Sequence, residues 1–279
     1  MARIRKLVAS LSRRGPHRVL RGDLAFAGLP GVVYTPEVGL NLPGVAFGHD
    51  WLTGTARYSG LLEHLASWGI VAGAPDTQRG LGPSVLNFAF DLGTALDIVS
   101  GVRLGPGKIS VHPAKLGVLG HGFGGSAAVF AAAGMPNKLE AVAAIFPSIT
   151  SPPAAQPAAT LKVPGLILTA PGDDKSLNSD AQRLSRSWDS ATLRIVSKAQ
   201  PEGLVQGRRL RKVLGLGGQD RRTQRSVRAL LTGYLLYTLG GDKTYRDFAD
   251  PDVQLPKTDA IAPEAETVRL EEKIVALLK

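Results

Sequence analysis

The chain has 279 residues, of which 44% are hydrophobic and 20% charged, and it contains no cysteine. This composition excludes wholesale disorder, and the lack of cysteine excludes disulfide frameworks, Cys-ligated zinc, iron–sulfur clusters and cysteine nucleophiles. No apolar run reaches the roughly 20 residues that a membrane-spanning helix needs. The N-terminal apolar stretch is too short for a secretory signal and no small-residue cleavage site follows it, so we expect a cytoplasmic protein.

The net charge of +10 is concentrated in two short segments. Residues 1–22 hold seven Lys or Arg side chains and no acid, and residues 206–228 hold eight against one Asp. The remainder of the chain is mildly acidic. Such clusters indicate a polyanion or an anionic membrane surface as a partner, but a pair of solvated helix faces gives the same pattern.

The first basic segment has the pattern of an amphipathic helix. Ile4, Leu7, Val8 and Leu11 recur at helical spacing and are surrounded by cations, which is typical of a short helix on an anionic membrane. Alternatively, the stripe docks on the protein's own core. Nucleic acid is less favoured because no binding motif is present, and a protein partner remains open. The residues predicted to contact the anionic surface are Arg3, Arg5, Lys6, Arg13, Arg14, Arg208, Arg209, Arg211, Lys212, Arg221 and Arg222.

Short apolar runs alternate with helical patterns along the chain. This alternation predicts one α/β domain with a mostly parallel central sheet, helices on both faces and extra helices at both termini. The predicted organisation is a basic segment at 1–22, the domain at 23–250 and a C-terminal extension at 251–279. The predicted strands are 32–35, 44–48, 70–74, 116–119, 141–146, 165–170 and 192–196. The predicted helices are 56–68, 87–102, 124–133, 178–188, 223–239 and 264–278.

The most informative string is Gly120-His121-Gly122-Phe123-Gly124, which follows an apolar strand and precedes an Ala-rich helix. This is the pattern of a nucleophile elbow, in which glycines flank a sharply turned residue because side chains there would clash. The nucleophile position falls on Gly122, which has no side chain. The string also lacks the Gly-Lys-Ser/Thr of a Walker phosphate loop, and we do not expect it to form a dinucleotide-binding G-x-G-x-x-G turn.

Over residues 30–250 the chain resembles α/β-hydrolases of the dienelactone hydrolase and polyester hydrolase (PETase, cutinase-like) group. Residues 45–52 resemble the oxyanion loop of that group, and residues 68–77 resemble its next strand and the loop above the site. Residues 120–125 match its G-H-S-x-G-G elbow apart from the serine. Residues 163–173 resemble the strand that carries the triad acid.

Carried over by position, the resemblance places the triad acid at Asp173 and the triad histidine near Pro201, yet no histidine follows His121. Nucleophile and base are therefore both missing. Asp50 also stands in the oxyanion loop, where its carboxylate would oppose the negative charge of a tetrahedral intermediate. The remaining pocket residues that the resemblance implies are His49, Trp51, Thr77, His121 and Phe123.

Removing Ser or His from such a triad lowers kcat by about 10⁶. The sequence therefore predicts a catalytically inactive α/β-hydrolase-fold protein that acts as a binding or scaffold module, with no metal and no cofactor. The alternative is a divergent hydrolase or transferase that acts on an ester or lipid substrate with a non-standard catalytic set. Its candidate groups are Ser84, Ser126, Ser148, and His49 paired with Asp50 or Asp173.

Overall fold

The computed structural model describes residues 2–173, 176, 179–207 and 218–260. The predicted helix at 264–278 lies outside these residues, as does part of the basic segment at 206–228. In the part of the chain that is described, no helix is both long and apolar enough to cross a lipid bilayer.

Nine strands of the described residues form one sheet. Their bounds are β1 Val19–Asp23, β2 Gly31–Pro36, β3 Gly39–Gly48, β4 Val71–Pro75, β5 Ile109–His121, β6 Ala141–Ile145, β7 Gly165–Thr169, β8 Ala191–Val196 and β9 Thr258–Asp259. Across the sheet the order is β1-β2-β4-β3-β5-β6-β7-β8-β9. Strands β3 to β8 pair in parallel, whereas β1, β2 and β9 run antiparallel to their neighbours. The sheet is therefore mostly parallel, as predicted.

Helices cover both faces of this sheet. Their bounds are α1 Ala2–Leu11, α2 Ser59–Ser67, α3 Val85–Gly101, α4 Phe123–Gly134, α5 Ala155–Ala158, α6 Ala181–Ser187 and α7 Arg221–Thr238. Side chains of α1, α2 and α7 share one hydrophobic cluster, and those of α3, α4 and α6 share another. The sheet separates the two clusters, so the predicted α/β architecture with helices on both faces is confirmed.

Two of the longer helices begin at side-chain caps that the sequence supplies. The Ser84 hydroxyl accepts the backbone N–H of Asn87 at the start of α3. The Asp220 carboxylate accepts the N–H groups of Arg222 and Thr223 at the start of α7. Such caps satisfy amide groups that have no partner inside the helix.

The central strands explain where a site forms. Every residue of β6 and β7 is buried, because helices cover both faces of these strands. Parallel strands end at the same edge of a sheet, so the residues that follow β5, β6 and β7 meet there. Gly122 follows β5 and Asp173 follows β7 after a short turn. The fold therefore brings these two distant positions to one edge.

Strand β1 was not predicted, because its sequence Val-Leu-Arg-Gly-Asp has no alternating apolar pattern and its last three residues are exposed on the edge of the sheet. It pairs with β2 through residues 19–23, so the sheet begins inside the segment predicted as separate from the domain. At the other end, β9 pairs with β8 and adds residues of the predicted C-terminal extension to the same sheet. β3 and β5 also begin earlier than predicted, at Gly39 and Ile109.

The apolar stripe of α1 packs on the protein's own core. Ile4, Val8 and Leu11 are buried, and α1 lies against α7. The stripe is therefore not available for insertion into a bilayer, and of the two predicted placements of the stripe the structure shows the second, docking on the protein's own core. Packing against α7 buries the hydrophobic face of α1 inside the protein, as a bilayer would bury it outside.

His64 on α2 is a buried titratable group beneath α1. It is 4% exposed, and its Nε2 has no hydrogen-bond partner among the described residues. Burial, and secondarily the Arg228 guanidinium, lower the pKa of His64 from its ordinary value near 6.5 to about 4, against a hydrogen bond to the Leu11 backbone that raises it. The folded protein therefore holds this ring neutral at pH 5, whereas the unfolded chain protonates it.

This difference predicts an acid-sensitive fold. Between about pH 6.5 and pH 4 the unfolded chain binds more protons at His64 than the folded protein, so the free energy of unfolding falls as the pH falls. A shift of this size corresponds to about 3 kcal/mol over that interval. We expect urea unfolding at several pH values to show this fall in the wild type, and a shallower one in His64→Leu. The exposed His17 provides the control, and equal slopes in the wild type and His64→Leu would contradict the assignment.

Candidate functional site

The turn between β5 and α4 has the geometry of a nucleophile elbow. Gly122 has φ +55° and ψ −119°, which is a backbone conformation that side chains make costly. Its N–H donates to the Ile145 carbonyl at 3.0 Å, which ties the elbow to the end of β6. Two residues on, a Cβ at Gly124 would lie 2.3 Å from the backbone of Gly48, so α4 approaches β3 too closely for any side chain.

The Asp50 carboxylate occupies the space in which a nucleophile side chain would stand. A Cβ built on Gly122 would lie 2.0 Å from Asp50 Oδ1 and 3.0 Å from Oδ2. The backbone N–H of Phe123 donates to the same Oδ1 at 3.0 Å. In α/β-hydrolases the amide after the nucleophile is an oxyanion-hole donor. Here that donor already holds a carboxylate.

This carboxylate also lies at the N-terminus of α4, where unpaired N–H groups and the helix dipole favour an anion. Gly120, Gly122 and Gly125 do match the G-x-G-x-x-G spacing of dinucleotide-binding turns, so the expectation that the string does not fit that motif is wrong. In such turns a pyrophosphate binds at the helix N-terminus. Asp50 fills that position here, so the residues do not fit a dinucleotide.

The loop that carries Asp50 is fixed by polar contacts. The Asp50 N–H donates to the Tyr58 hydroxyl at 3.1 Å, and that hydroxyl lies 2.8 Å from His121 Nδ1. On the other side, the Asp50 carbonyl accepts the backbone N–H and the hydroxyl of Thr53. His121 is buried and contacts Phe146 edge-on, beneath the elbow. The carboxylate is therefore held in place by its own backbone.

His49 and Thr77 do not lie where they were predicted. His49 is fully buried, and its Nδ1 and Nε2 lie 2.9 and 2.8 Å from the Asp50 and Thr77 carbonyl oxygens. Both neighbours are acceptors, and a neutral imidazole donates to only one of them. The Thr77 hydroxyl donates to Asp91. Neither residue lines the cleft, so His49 cannot serve as a base there with Asp50 or Asp173.

Asp173 does lie at the cleft, but its carboxylate is held by hydroxyl groups. Its Oδ2 accepts the Thr169 hydroxyl at 2.6 Å and the Ser179 hydroxyl at 2.8 Å. Pro201, at the position of the triad histidine, begins the 3₁₀ turn Pro201–Leu204 and faces the same cleft. The three positions of the triad thus meet around one cleft, although two of them carry no catalytic side chain.

The cleft has a volume of about 840 Å³, within the range of small-molecule sites. Side chains that the sequence analysis did not assign to it include Phe146 below the elbow and Glu202 beside Pro201. The signal for Glu202 was its place next to the vacant histidine position. The lining residues are Asp50, Trp51, Leu52, Leu81, Pro83, His121, Gly122, Phe123, Phe146, Pro147, Ser148, Ile149, Thr150, Ser151, Asp173, Ser176, Ser179, Pro201 and Glu202.

The candidate substitute nucleophiles are differently placed. Ser126 is buried, and its hydroxyl donates to the Ser148 carbonyl at 2.5 Å, which is a structural bond. Ser84 caps α3 and does not line the cleft. Ser148 lines the cleft, and its N–H donates to the Gly122 carbonyl. Of these serines, Ser148 alone faces the space that a ligand would fill.

The predicted anionic-surface residues fall into two groups. Arg208, Arg209, Arg211 and Lys212 lie outside the described residues. The others are exposed, and Arg14 pairs with Glu63 at 3.3 Å. The exposed members are Arg3, Arg5, Lys6, Arg13, Arg14, Arg221 and Arg222.

Comparison with known proteins agrees with this architecture. The sequence profile of the dienelactone hydrolase family matches residues 29–197, which is more than half of the chain. The match spans the oxyanion loop, the elbow and the strand before Asp173. No curated protein matches the chain. The chain therefore belongs to the dienelactone hydrolase family.

Proposed function

We propose that this chain is a non-hydrolytic member of its family that keeps the active-site cleft as a ligand-binding site. The observation that carries the proposal is the position of the Asp50 carboxylate. It fills the nucleophile space at Gly122 and accepts the Phe123 N–H that would otherwise stabilise an oxyanion. Supporting this, the positions of the nucleophile and the base hold glycine and proline.

The negative charge of Asp50 at the oxyanion-hole donor, the Phe123 N–H, argues against acyl transfer. Removing a single oxyanion-hole donor typically lowers kcat by about 10²–10³. Here the donor is both occupied and paired with a negative charge, so a tetrahedral intermediate would have to displace a carboxylate from it. Loss of the nucleophile alone would cost about 10⁶.

The lining of the cleft indicates the class of ligand. Carboxylates of Asp50, Asp173 and Glu202 face it, and no Lys or Arg is among its described lining residues. Aromatic and aliphatic side chains share the rest of the wall with His121 and with Ser and Thr residues, and Trp51 is half-exposed at the mouth. A neutral or cationic apolar molecule fits this chemistry, because carboxylates attract cations and aromatic faces do the same.

The first expected outcome is that the protein has no esterase activity. Purified protein should hydrolyse a panel of p-nitrophenyl esters no faster than a mock preparation and should not be labelled by a fluorophosphonate probe. Ser148→Ala is the matched control. Wild-type turnover that disappears in Ser148→Ala would refute the proposal and establish the alternative, a divergent hydrolase or transferase.

A double-mutant cycle tests the contact between positions 50 and 122. Gly122→Ala should lower the free energy of unfolding by about 2–4 kcal/mol, through backbone strain and the collision with Asp50. Asp50→Ala should cost about 1 kcal/mol by removing an anion from the N-terminus of α4. The double variant should cost at least about 1 kcal/mol less than the sum, because the collision is gone.

Gly134→Ala at the other end of α4 is the control for the cycle, since a Cβ there meets no atom within 4 Å. This variant should be close to neutral. Additive effects of Asp50→Ala and Gly122→Ala would show that the carboxylate does not occupy the space at Gly122. Urea unfolding of the four cycle members measures the coupling directly.

Ligand preference is measured with three molecules that share one alkyl chain. Octylammonium should quench Trp51 fluorescence at lower concentration than octanol, and octanol at lower concentration than octanoate. The ratio between the two charged molecules should reach about tenfold, which corresponds to about 1.4 kcal/mol. The double variant Asp50→Asn/Glu202→Gln should reduce this ratio severalfold. Trp51→Phe should abolish the change in fluorescence on binding. Tighter binding of octanoate would contradict the assigned ligand class.

A further inference from the structure

We propose that the helix layer formed by α1, α2 and α7 is a cationic docking face for an anionic phospholipid bilayer. The face is defined by Arg3, Arg5, Lys6 and Arg14 of the N-terminal segment, Arg57 before α2, Arg222, Arg225 and Arg228 of α7, and Lys257. It is independent of the cleft and of its ligand.

The first step of the argument is that segments far apart in sequence lie side by side. Helix α1 packs against α7, which begins more than 200 residues later. Below α1, His64 of α2 hydrogen-bonds the Leu11 backbone, and the charge of Arg228 on α7 lowers the pKa of the same ring. Arg14 pairs with Glu63 of α2. The first basic segment and the described part of the second, at the start of α7, are thus parts of one layer of the fold.

The second step is that these cations crowd one another. Arg228 Nη2 lies 2.5 Å from the place of a Cβ on Gly60, and Arg57 Nη1 donates to the Gln206 carbonyl at 3.3 Å beside it. Burial together with the Arg225 and Arg222 guanidiniums lowers the pKa of Lys257.

Two acidic side chains lie near this crowded cluster. Glu63 acts on Arg228 and pairs with Arg14, and Asp220 lies beside Arg222. The cations of the face nonetheless outnumber these acids severalfold. Like charges held together raise the local positive potential and favour an external polyanion.

The third step concerns the mode of contact. The apolar stripe of α1 is buried, so it offers nothing to the acyl region of a bilayer. Large apolar side chains are exposed elsewhere. Trp51 and Leu81 line the cleft, and Phe90 lies on α3, which packs on the opposite face of the sheet. Contact through the α1–α7 face is therefore electrostatic, and it should be strongly weakened by salt.

The fourth step separates a bilayer from a nucleic acid. Proteins that hold single strands combine cations with exposed aromatic side chains on which bases stack. The exposed aromatic residues Phe26, Trp51 and Phe90 lie on other elements. The cations instead spread over adjacent helices, and arginine binds phosphate oxygens in bidentate fashion. A surface of lipid phosphates fits this arrangement better than a single nucleic-acid backbone.

Co-sedimentation of the full chain with vesicles tests the proposal. Vesicles of phosphatidylcholine alone are compared with vesicles containing one third phosphatidylglycerol, at low and at moderate salt. Each Lys or Arg near such a surface strengthens binding by about fivefold. Reversal of two exposed charges in Arg222→Glu/Arg225→Glu should therefore weaken binding by at least tenfold, and Arg3→Glu/Arg5→Glu should do the same.

The matched control is Arg103→Glu/Lys108→Glu, which changes net charge equally at two exposed positions away from this face. It should bind as the wild type does. Circular dichroism checks folding, and Arg222→Gln/Arg225→Gln serves if the reversed variant unfolds. Equal binding to both vesicle types, or equal weakening by the control, would overturn the proposal. So would tighter binding to a 30-nucleotide single strand at the same salt, lost in the same variants.

Discussion

A single hydrogen bond, from the Phe123 N–H to the Asp50 carboxylate, determines what the rest of this structure can do. The bond joins the loop after β3 to the first turn of α4 across 73 residues of sequence. In a hydrolase the same amide must stay open for an oxyanion that forms during the reaction. Here it stabilises the resting protein instead. The N-terminus of α4, whose dipole stabilises an oxyanion in a hydrolase, is here capped by the Asp50 carboxylate.

Polar contacts around this hydrogen bond hold the Asp50 loop in place. Tyr58 holds the Asp50 backbone, His121 lies against Tyr58, and Thr53 holds the Asp50 carbonyl. Their anchors come from the parallel sheet, which delivers β3, β5 and β6 to one edge. A loop fixed in this way moves little, so the carboxylate does not leave the elbow without breaking several polar contacts. The site is therefore organised around an anion that the protein itself provides.

Much of the fold and of the candidate site could be predicted from the sequence. The features that could not be predicted have physical causes. The strand-and-helix alternation and the vacant positions at Gly122 and Pro201 are local patterns, which sequence records directly. The placement of His49 is not local. Consecutive residues at a strand end point to opposite sides, so Asp50 faces the cleft and His49 faces the core. β1 was missed because an edge strand that is exposed to solvent does not need an apolar pattern.

The orientation of α1 illustrates a different limit. A stripe of Ile4, Leu7, Val8 and Leu11 is equally well buried by a bilayer or by another helix, and the sequence of α1 alone does not distinguish them. The distinction depends on whether α7 presents a complementary surface, which is a property of residues more than 200 positions away. Burial of the stripe changes the expected partner chemistry from insertion to surface attraction, while the exposed arginines stay the same.

Glycine at the nucleophile position also has a consequence for stability. A nucleophile at position 122 must adopt a left-handed backbone conformation that typically costs about 1–3 kcal/mol, and active hydrolases retain this strain because catalysis requires it. Glycine at the same φ of +55° bears little of that cost. Asp50 then adds a cap where a serine hydroxyl would collide with it. Both features stabilise the fold, and under the proposed function the family's triad chemistry would require at least two simultaneous substitutions at the elbow and a third at Pro201. Each one alone is destabilising or without effect on turnover. Under the proposed function, that coupling is the physical reason why a chain of this family can keep its sheet, its elbow and its cleft without the family's reaction.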